Sequence, residues 1–151
     1  MLARAQSETS DAAITYEQAD LDVYGFKGKK YDMVVSQLAL HYFVNLSSLV
    51  RQVYDSLAPG GRFVVSVEHP IYTAPTNPKW STNGEGRSTW PVDSYLGEGP
   101  RTTNWLADGV VKQHRTIGTY LKIFLGAGFV LEALEEWAPS KEQIEAEERF
   151  E

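Results

Sequence analysis

An α/β fold with a mostly parallel sheet is predicted for this chain by three observations. Tyr31 to Ser36 and Arg62 to Glu68 are near-continuous apolar runs, built on Met33, Val34 and Val35 in the first and on Phe63, Val64, Val65 and Val67 in the second. Such runs have the texture of strands covered on both faces. Between them, Leu46, Leu49, Val50, Val53 and Leu57 fall at the i, i+3, i+4, i+7 spacing of one buried helix face. A strand, a helix and a strand connected at this length imply a right-handed parallel crossover, with the strand Arg62–Glu68 central and a strand near Tyr16 toward an edge.

Each element can be justified in order. Met1 to Glu8 consists of good helix formers with no start signal ahead of them. Ile14 to Glu17 is a short strand candidate, and Gly25 to Lys30 a turn. Asn45 is placed to cap the central helix, which Pro59-Gly60-Gly61 stops. The second strand ends at Glu68-His69-Pro70, because proline cannot continue a ladder. Tyr72 to Lys112, rich in Pro, Gly, Asn, Thr and Trp, reads as a long inserted loop, of the kind that forms a functional lid. A helix resumes at Thr116, with Ile117, Tyr120, Leu121, Phe124 and Leu125 on one face and Gly126 and Gly128 at its end. Phe129 to Leu134 is a further strand candidate. The acidic tail Lys141–Glu151 is expected to be a solvated helix or disordered.

With 151 residues, a single core is expected. A net charge of −6 argues against a nucleic-acid partner, whose phosphates demand clustered Lys and Arg, and leaves a small molecule as the expected one. The absence of cysteine excludes disulfides, thiolate metal sites and thiol catalysis. It also fits a cytoplasmic location. No signal-peptide apolar region and no membrane-length apolar run occur, so neither export nor a membrane partner is expected.

In the ordered series Ala19-Asp20, Tyr31-Asp32 through His41, and Leu57 to Gly61, the chain resembles the class I S-adenosylmethionine-dependent methyltransferases, and most closely the small bacterial ones with a type 11 methyltransferase domain. The resemblance covers about Met1 to Leu134. It implies a Rossmann-like three-layer sandwich, S-adenosylmethionine as cofactor and methyl transfer to a small-molecule acceptor. It also implies cofactor contacts at Ala19, Asp20 and Leu21 around the adenine, and at Ser36, Gln37 and Leu38 under the methionine part. Open parallel sheets bind ligands beyond the carboxyl ends of their strands, in agreement with the second group. The chain departs from the family pattern in having no Gly-rich turn before residue 20 and no closing hairpin strand. It is therefore expected to be a partial methyltransferase domain spanning residues 1–151, incomplete at both ends, with an insertion at about 72–112. By itself such a chain is expected to bind the cofactor weakly and to be inactive.

Candidate catalytic residues are His69, beside Glu68 at the end of the second strand, and His41 and Tyr42 after the first, with Tyr72 orienting the acceptor. A histidine is a natural general base near neutral pH, and an adjacent carboxylate would raise its pKa. The competing reading makes these histidines turn and strand-end residues. Asp20 likewise competes with an ordinary turn aspartate. Three dispersed histidines argue no metal site. Tyr72, Trp80, Trp90, Tyr95 and Trp105 form either an acceptor pocket or the insertion's own core, with Tyr72 and Tyr95 expected nearest the substrate. Arg101, His114 and Arg115 are either an anion site or solvated surface. The alternative function is a non-catalytic remnant or fragment that associates with another chain, for instance as a homodimer through an exposed sheet edge.

Overall fold

Residues 2–26, 28, 30–105 and 107–146 are described by the computed structural model. The expectations for Met1 and for the end of the acidic tail, 147–151, lie outside the described residues. Helix α1 covers Leu2–Glu8, and an exposed Arg4–Glu8 pair at 2.7 Å spans one turn. The centre of the chain follows the sequence reading closely. Strand β1 is Tyr31–Gln37, helix α2 is Leu46–Ser56 and strand β2 is Leu57–Ser66. The two strands pair in parallel, with Val34 opposite Phe63 and Gln37 opposite Ser66. The Asn45 side chain accepts the Ser48 N–H and so satisfies one of the free donors at the start of α2.

Strand β2 begins earlier than Arg62. Its register jumps from Tyr31 opposite Leu57 to Met33 opposite Arg62, so Ala58 to Gly61 form a bulge. Gly60 adopts φ +79°, and a Cβ on Gly61 would stand 2.9 Å from the Ala58 carbonyl oxygen and 3.0 Å from that of Tyr31. The helix expected to stop at Pro59-Gly60-Gly61 has already ended at Ser56, with Leu57 extended, and the Pro-Gly-Gly segment instead brings the two strand backbones close together.

The core is made by Leu46, Leu49, Val50, Val53 and Leu57 with Leu40, Tyr120 and Ala127, and Val34, Phe63 and Val65 pack against it from the sheet. Helix α4, Ile117–Gly126, joins α2 in this layer, and Thr116 caps it by accepting the Thr119 N–H. The opposite sheet face carries Met33, Val35 and Val64, all about half exposed or more. The expectation of strands covered on both faces is met on one face only, because the described residues place their packing partners on one side.

Two expected strands are not formed. Ile14–Glu17 and Phe129–Leu134 are irregular, and the strand pairings of the described residues include neither of them. A strand is defined by its ladder, so β-compatible sequence without a neighbour stays unpaired. The Tyr72–Lys112 region, expected to be a loop, is more ordered than that. Helix α3 is Pro70–Thr73, and β3 (Ser81–Thr82) and β4 (Ser88–Thr89) form a small hairpin. A longer antiparallel hairpin joins β5, Gly99–Trp105, to β6, Ala107–His114. Helix α5, Lys141–Ala146, completes the elements.

Candidate functional site

The carboxyl ends of β1 and β2 lie side by side, and the chemistry-bearing side chains gather there. Ser36 is half-buried, whereas Gln37 and Leu38 are exposed at the tip of β1. Leu38 has φ +49°, a left-handed conformation that a leucine rarely adopts. Its N–H is held by the carbonyl of Ser66 at 3.0 Å and by the Ser66 hydroxyl at 3.2 Å. Strain of this kind is concentrated at ligand-binding turns. Asp20 stands in a separate exposed turn. Its carboxylate accepts the Asp22 N–H at 3.0 Å and its carbonyl those of Val23 and Tyr24, while Leu21 packs toward the core and Ala19 is exposed. The bland reading of Asp20 as a turn residue is thus present in the geometry, and its carboxylate remains at the surface.

Beyond β1, the 3-10 turn Leu40–Tyr42 buries His41 and leaves Tyr42 partly exposed, with the two rings 4.3 Å apart. The Glu68 N–H donates to His41 Nδ1 at 3.4 Å. The neutral ring therefore carries its proton on Nε2. Burial holds the His41 pKa below its ordinary value; the Glu68 carboxylate opposes this and the Lys112 ammonium adds to it.

The sequence reading coupled Glu68 to its neighbour His69. The structure separates them, because successive side chains of an extended segment point to opposite sides. Glu68 Oε2 instead accepts from Lys112 Nζ at 2.6 Å, in a pair whose lysine side chain is only 4% exposed and whose glutamate is 24% exposed. His69 caps α3: its Nδ1 accepts the Ile71 N–H at 3.2 Å, and its Nε2 meets Glu136 Oε1 at 2.5 Å. Both ring nitrogens are engaged, and as in His41 the proton resides on Nε2.

A cleft beside this cluster is lined by Glu68, Tyr72, Pro75, Arg101, Thr103 and Lys112. Tyr72 leans on Trp90, with centroids 5.6 Å apart, and Trp90 on Trp80 at 5.4 Å, while the Trp90 indole N–H donates to the Ile71 carbonyl. Tyr95 is elsewhere, against His114 at 5.9 Å, so of the two tyrosines expected nearest the substrate only Tyr72 lines the cleft. The Trp105 side chain lies outside the described residues.

His114 and the two arginines are engaged with other groups of the protein, although Arg115 Nη1 is buried without a hydrogen-bond partner among the described residues. His114 is fully buried, between the Thr73 hydroxyl at 2.7 Å and the Tyr95 carbonyl at 2.8 Å. Arg101 donates to the carbonyls of Ala74, Pro100 and Gly97, and Arg115 to those of Phe43 and Val44. All three tie loops together. Lys112 is the residue that sequence reasoning missed. Its only signal was position, since Lys112 falls at the two-residue spacing of one strand face with Val110 and the buried His114.

Among the described residues no group of three or more His, Cys, Asp or Glu is arranged to hold a metal, and no helix is long and apolar enough to cross a membrane. A family model described as a methyltransferase domain matches residues 1–65. The crystal structure of an S-adenosylmethionine-dependent methyltransferase from Mesorhizobium loti is 51% identical and superposes with a TM-score of 0.91, over 99% of this chain and 68% of that one. A Listeria monocytogenes structure assigned to the same class is 36% identical, with a TM-score of 0.85 over 95% of this chain and 68% of that one. An uncharacterised Haemophilus influenzae protein is 31% identical over 108 residues, which are 70% of this chain and 42% of that protein. The match thus spans well under half the length of this curated relative.

Proposed function

The chain belongs to the S-adenosylmethionine-dependent methyltransferases and has their Rossmann-like α/β fold, and from that premise we propose that it contributes to a site that transfers a methyl group from S-adenosylmethionine to a small-molecule acceptor. The observation that carries this reading is the strained tip of β1. Leu38 is held at φ +49° beside Ser66, at the strand ends where open parallel sheets take their ligands. The donor set fits the cofactor: the surface carboxylate of Asp20 suits an adenine amino group, Ala19 and Leu21 the base, and Ser36, Gln37 and Leu38 the methionine part.

The cofactor supplies an activated methyl group on a sulfonium, so the protein's task is positioning and exclusion of water more than strong acid or base catalysis. In this reading Tyr42 and Tyr72 orient the acceptor. The Nδ1 atoms of His41 and His69 accept backbone N–H groups and His69 Nε2 is held by Glu136, which suits the two rings to shaping the site rather than to proton abstraction. The segment 72–112 forms the acceptor side of one methyltransferase domain.

Calorimetric titration with S-adenosylmethionine tests the reading. In the protein carrying this chain, Asp20→Ala is expected to weaken binding about tenfold or more; no saturable binding by the unmutated protein would refute the proposal. Titration of the 151 residues alone then shows how the site is divided. Binding at 1 μM, about −8 kcal/mol, would mean that these residues hold most of the polar contacts.

A second reading, association with another chain, draws on one observation. β1 and β2 form a two-stranded sheet whose outer face leaves Met33, Val35 and Val64 exposed. Sedimentation that finds only monomer across the micromolar range would remove it.

A further inference from the structure

We infer that Asn83 is the site of a spontaneous covalent modification, in which the Gly84 backbone nitrogen closes on the Asn83 side chain to form a succinimide that water opens to aspartate and isoaspartate. The inference stands apart from the methyl-transfer reading, since its only co-reactant is water.

Asn83 and Gly84 begin the exposed connection 83–87 between β3 and β4. Asn-Gly pairs are common in two-residue hairpin turns, where they supply positive φ. That reason does not apply here, because neither residue is left-handed and the glycine of this connection that is left-handed is Gly86, at φ +80°. What the turn uses is the Asn83 side chain, whose Oδ1 accepts the Glu85 N–H at 3.0 Å and the Arg87 N–H at 2.9 Å. These bonds draw the side-chain amide forward over the Asn83–Gly84 peptide. They also place two backbone donors on the oxygen that turns negative when Cγ is attacked, as an oxyanion hole does. The nucleophile is accessible. Among the described residues no acceptor meets the Gly84 N–H, and glycine has no Cβ to obstruct its approach.

The Gly84 N–H gives up its proton to solvent base, and the nitrogen bonds to Asn83 Cγ. The Cγ–Nδ2 bond breaks with its electron pair on nitrogen, which takes up a proton and leaves as ammonia. Water then adds to Cγ, giving aspartate, or to the main-chain carbonyl carbon, giving isoaspartate with the chain running through Cγ. In sum, asparagine and water become aspartate or isoaspartate and ammonia.

A second pair serves as an internal control. Asp108-Gly109 is exposed as well, but its Gly109 N–H already donates to Asn104 Oδ1 at 3.1 Å, and a carboxylate is the poorer electrophile. At Asn83, isoaspartate adds a methylene to the backbone and takes Oδ1 away from its two donors. The pairing of Ser81 with Thr89 and of Thr82 with Ser88 then loses its register, and Trp80, next to β3, loses its place on Trp90.

Trypsin releases residues 80–87 as one peptide, in which Asn83 is the only side-chain amide. Mass spectrometry of the protein carrying this chain, aged at mildly alkaline pH in water enriched in heavy oxygen, therefore reads the modification directly. The peptide is expected to exchange its amide nitrogen for labelled oxygen and to split into two chromatographic forms, faster as the pH rises, while residues 102–112 keep a single form. Gly84→Ala should leave the fold intact, because the added Cβ meets nothing within 4 Å. By obstructing the nitrogen it should slow conversion about tenfold or more. The isoaspartate fraction should lose near-ultraviolet circular dichroism from the packed tryptophans, and Asn83→Asp, which keeps a side-chain acceptor, should retain it. Asn83 unchanged in the folded protein when the free 80–87 peptide has converted, equal rates with and without Gly84→Ala, or conversion at Asp108 as fast as at Asn83 overturns the inference. An unaltered dichroism signal in the isoaspartate fraction overturns the proposed effect on the hairpin.

Discussion

The unit from β1 to β2 and the region from Tyr72 to His114 are held together by different means. In the first, Leu46, Leu49, Val50 and Val53 put one apolar helix face against Val34, Phe63 and Val65 of the sheet, and hydrogen bonds are largely confined to helix and ladder. In the second, the ties are polar and mostly distant in sequence. His114 bridges Thr73 and Tyr95, Arg101 reaches Ala74 and Gly97, Asp93 takes the Thr76 N–H and hydroxyl, and Lys112 pairs with Glu68. Apolar packing tolerates small shifts, because dispersion and burial are non-directional. A buried polar tie does not, because a group left alone carries the whole cost of its desolvation. The second region is thus the better platform for fixing a ligand's orientation, and the first for stability.

The sharpest way to break this contrast is to remove one member of the buried pair. Lys112→Met should destabilise the protein by about 3–5 kcal/mol, since it leaves the half-buried Glu68 carboxylate uncompensated. Adding Glu68→Met should return most of that loss, because two buried charges replaced by apolar groups are often neutral or better. Urea denaturation of the two variants decides it. If the double variant is no more stable than the single one, the tie is not electrostatic. Next in size, Leu46→Ala, at a position 1% exposed, should cost about 2–5 kcal/mol by leaving a cavity under α2. Unlike the Lys112 change, no second substitution at a polar partner should rescue it.

The same contrast explains which parts of the molecule were legible in the sequence. Helix α2, its Asn45 cap and the parallel strands follow from local periodicity and turn chemistry, and these patterns lie within a few residues of one another. The pairing of Glu68 with Lys112 joins residues 44 apart, with no periodic signal to link them. The hairpin β5–β6 was hidden because Thr102, Thr103 and Asn104 dilute its alternation. Ile14–Glu17 and Phe129–Leu134 fail in the opposite sense: their composition suits a strand, but a strand needs a ladder partner. At the site, positions at strand ends were readable from topology, whereas the proton state of each histidine depends on a backbone N–H that only the folded chain supplies.

A smaller perturbation tests the local signals. Asn45→Ala should cost about 1 kcal/mol by freeing the Ser48 N–H, with Asn45→Asp close to neutral. Thermal melts resolve the difference, and an equal loss in both variants would show that the amide side chain has another role.

The smallest expected effect is a pH dependence that belongs to His41 and joins the two regions, since its surroundings come from both. Its pKa is held down by burial first, with Glu68 opposing and Lys112 assisting. A folded-state pKa below the unfolded value of 6.5 means that the unfolded chain binds the proton first as the pH falls. His41 therefore contributes stability that is complete above about pH 6.5 and is lost on acidification through that value toward its folded pKa, with a slope no steeper than about 1.4 kcal/mol per pH unit for one proton. Glu98 adds a separate loss at lower pH: burial pushes its carboxyl up, but hydrogen bonds from Thr119 and Thr116 more than offset this and hold it below its ordinary value. The measurement is the melting temperature from pH 7.5 to 5, for the unmutated protein and for His41→Asn, which cannot titrate there. The variant should be less stable throughout but flatter between pH 6.5 and 5. In Lys112→Met the His41 contribution should shrink, because the uncompensated carboxylate draws the folded pKa back toward the unfolded one. Parallel curves for the unmutated protein and His41→Asn would mean that His41 titrates alike in both states, and that its burial does not hold the ring neutral.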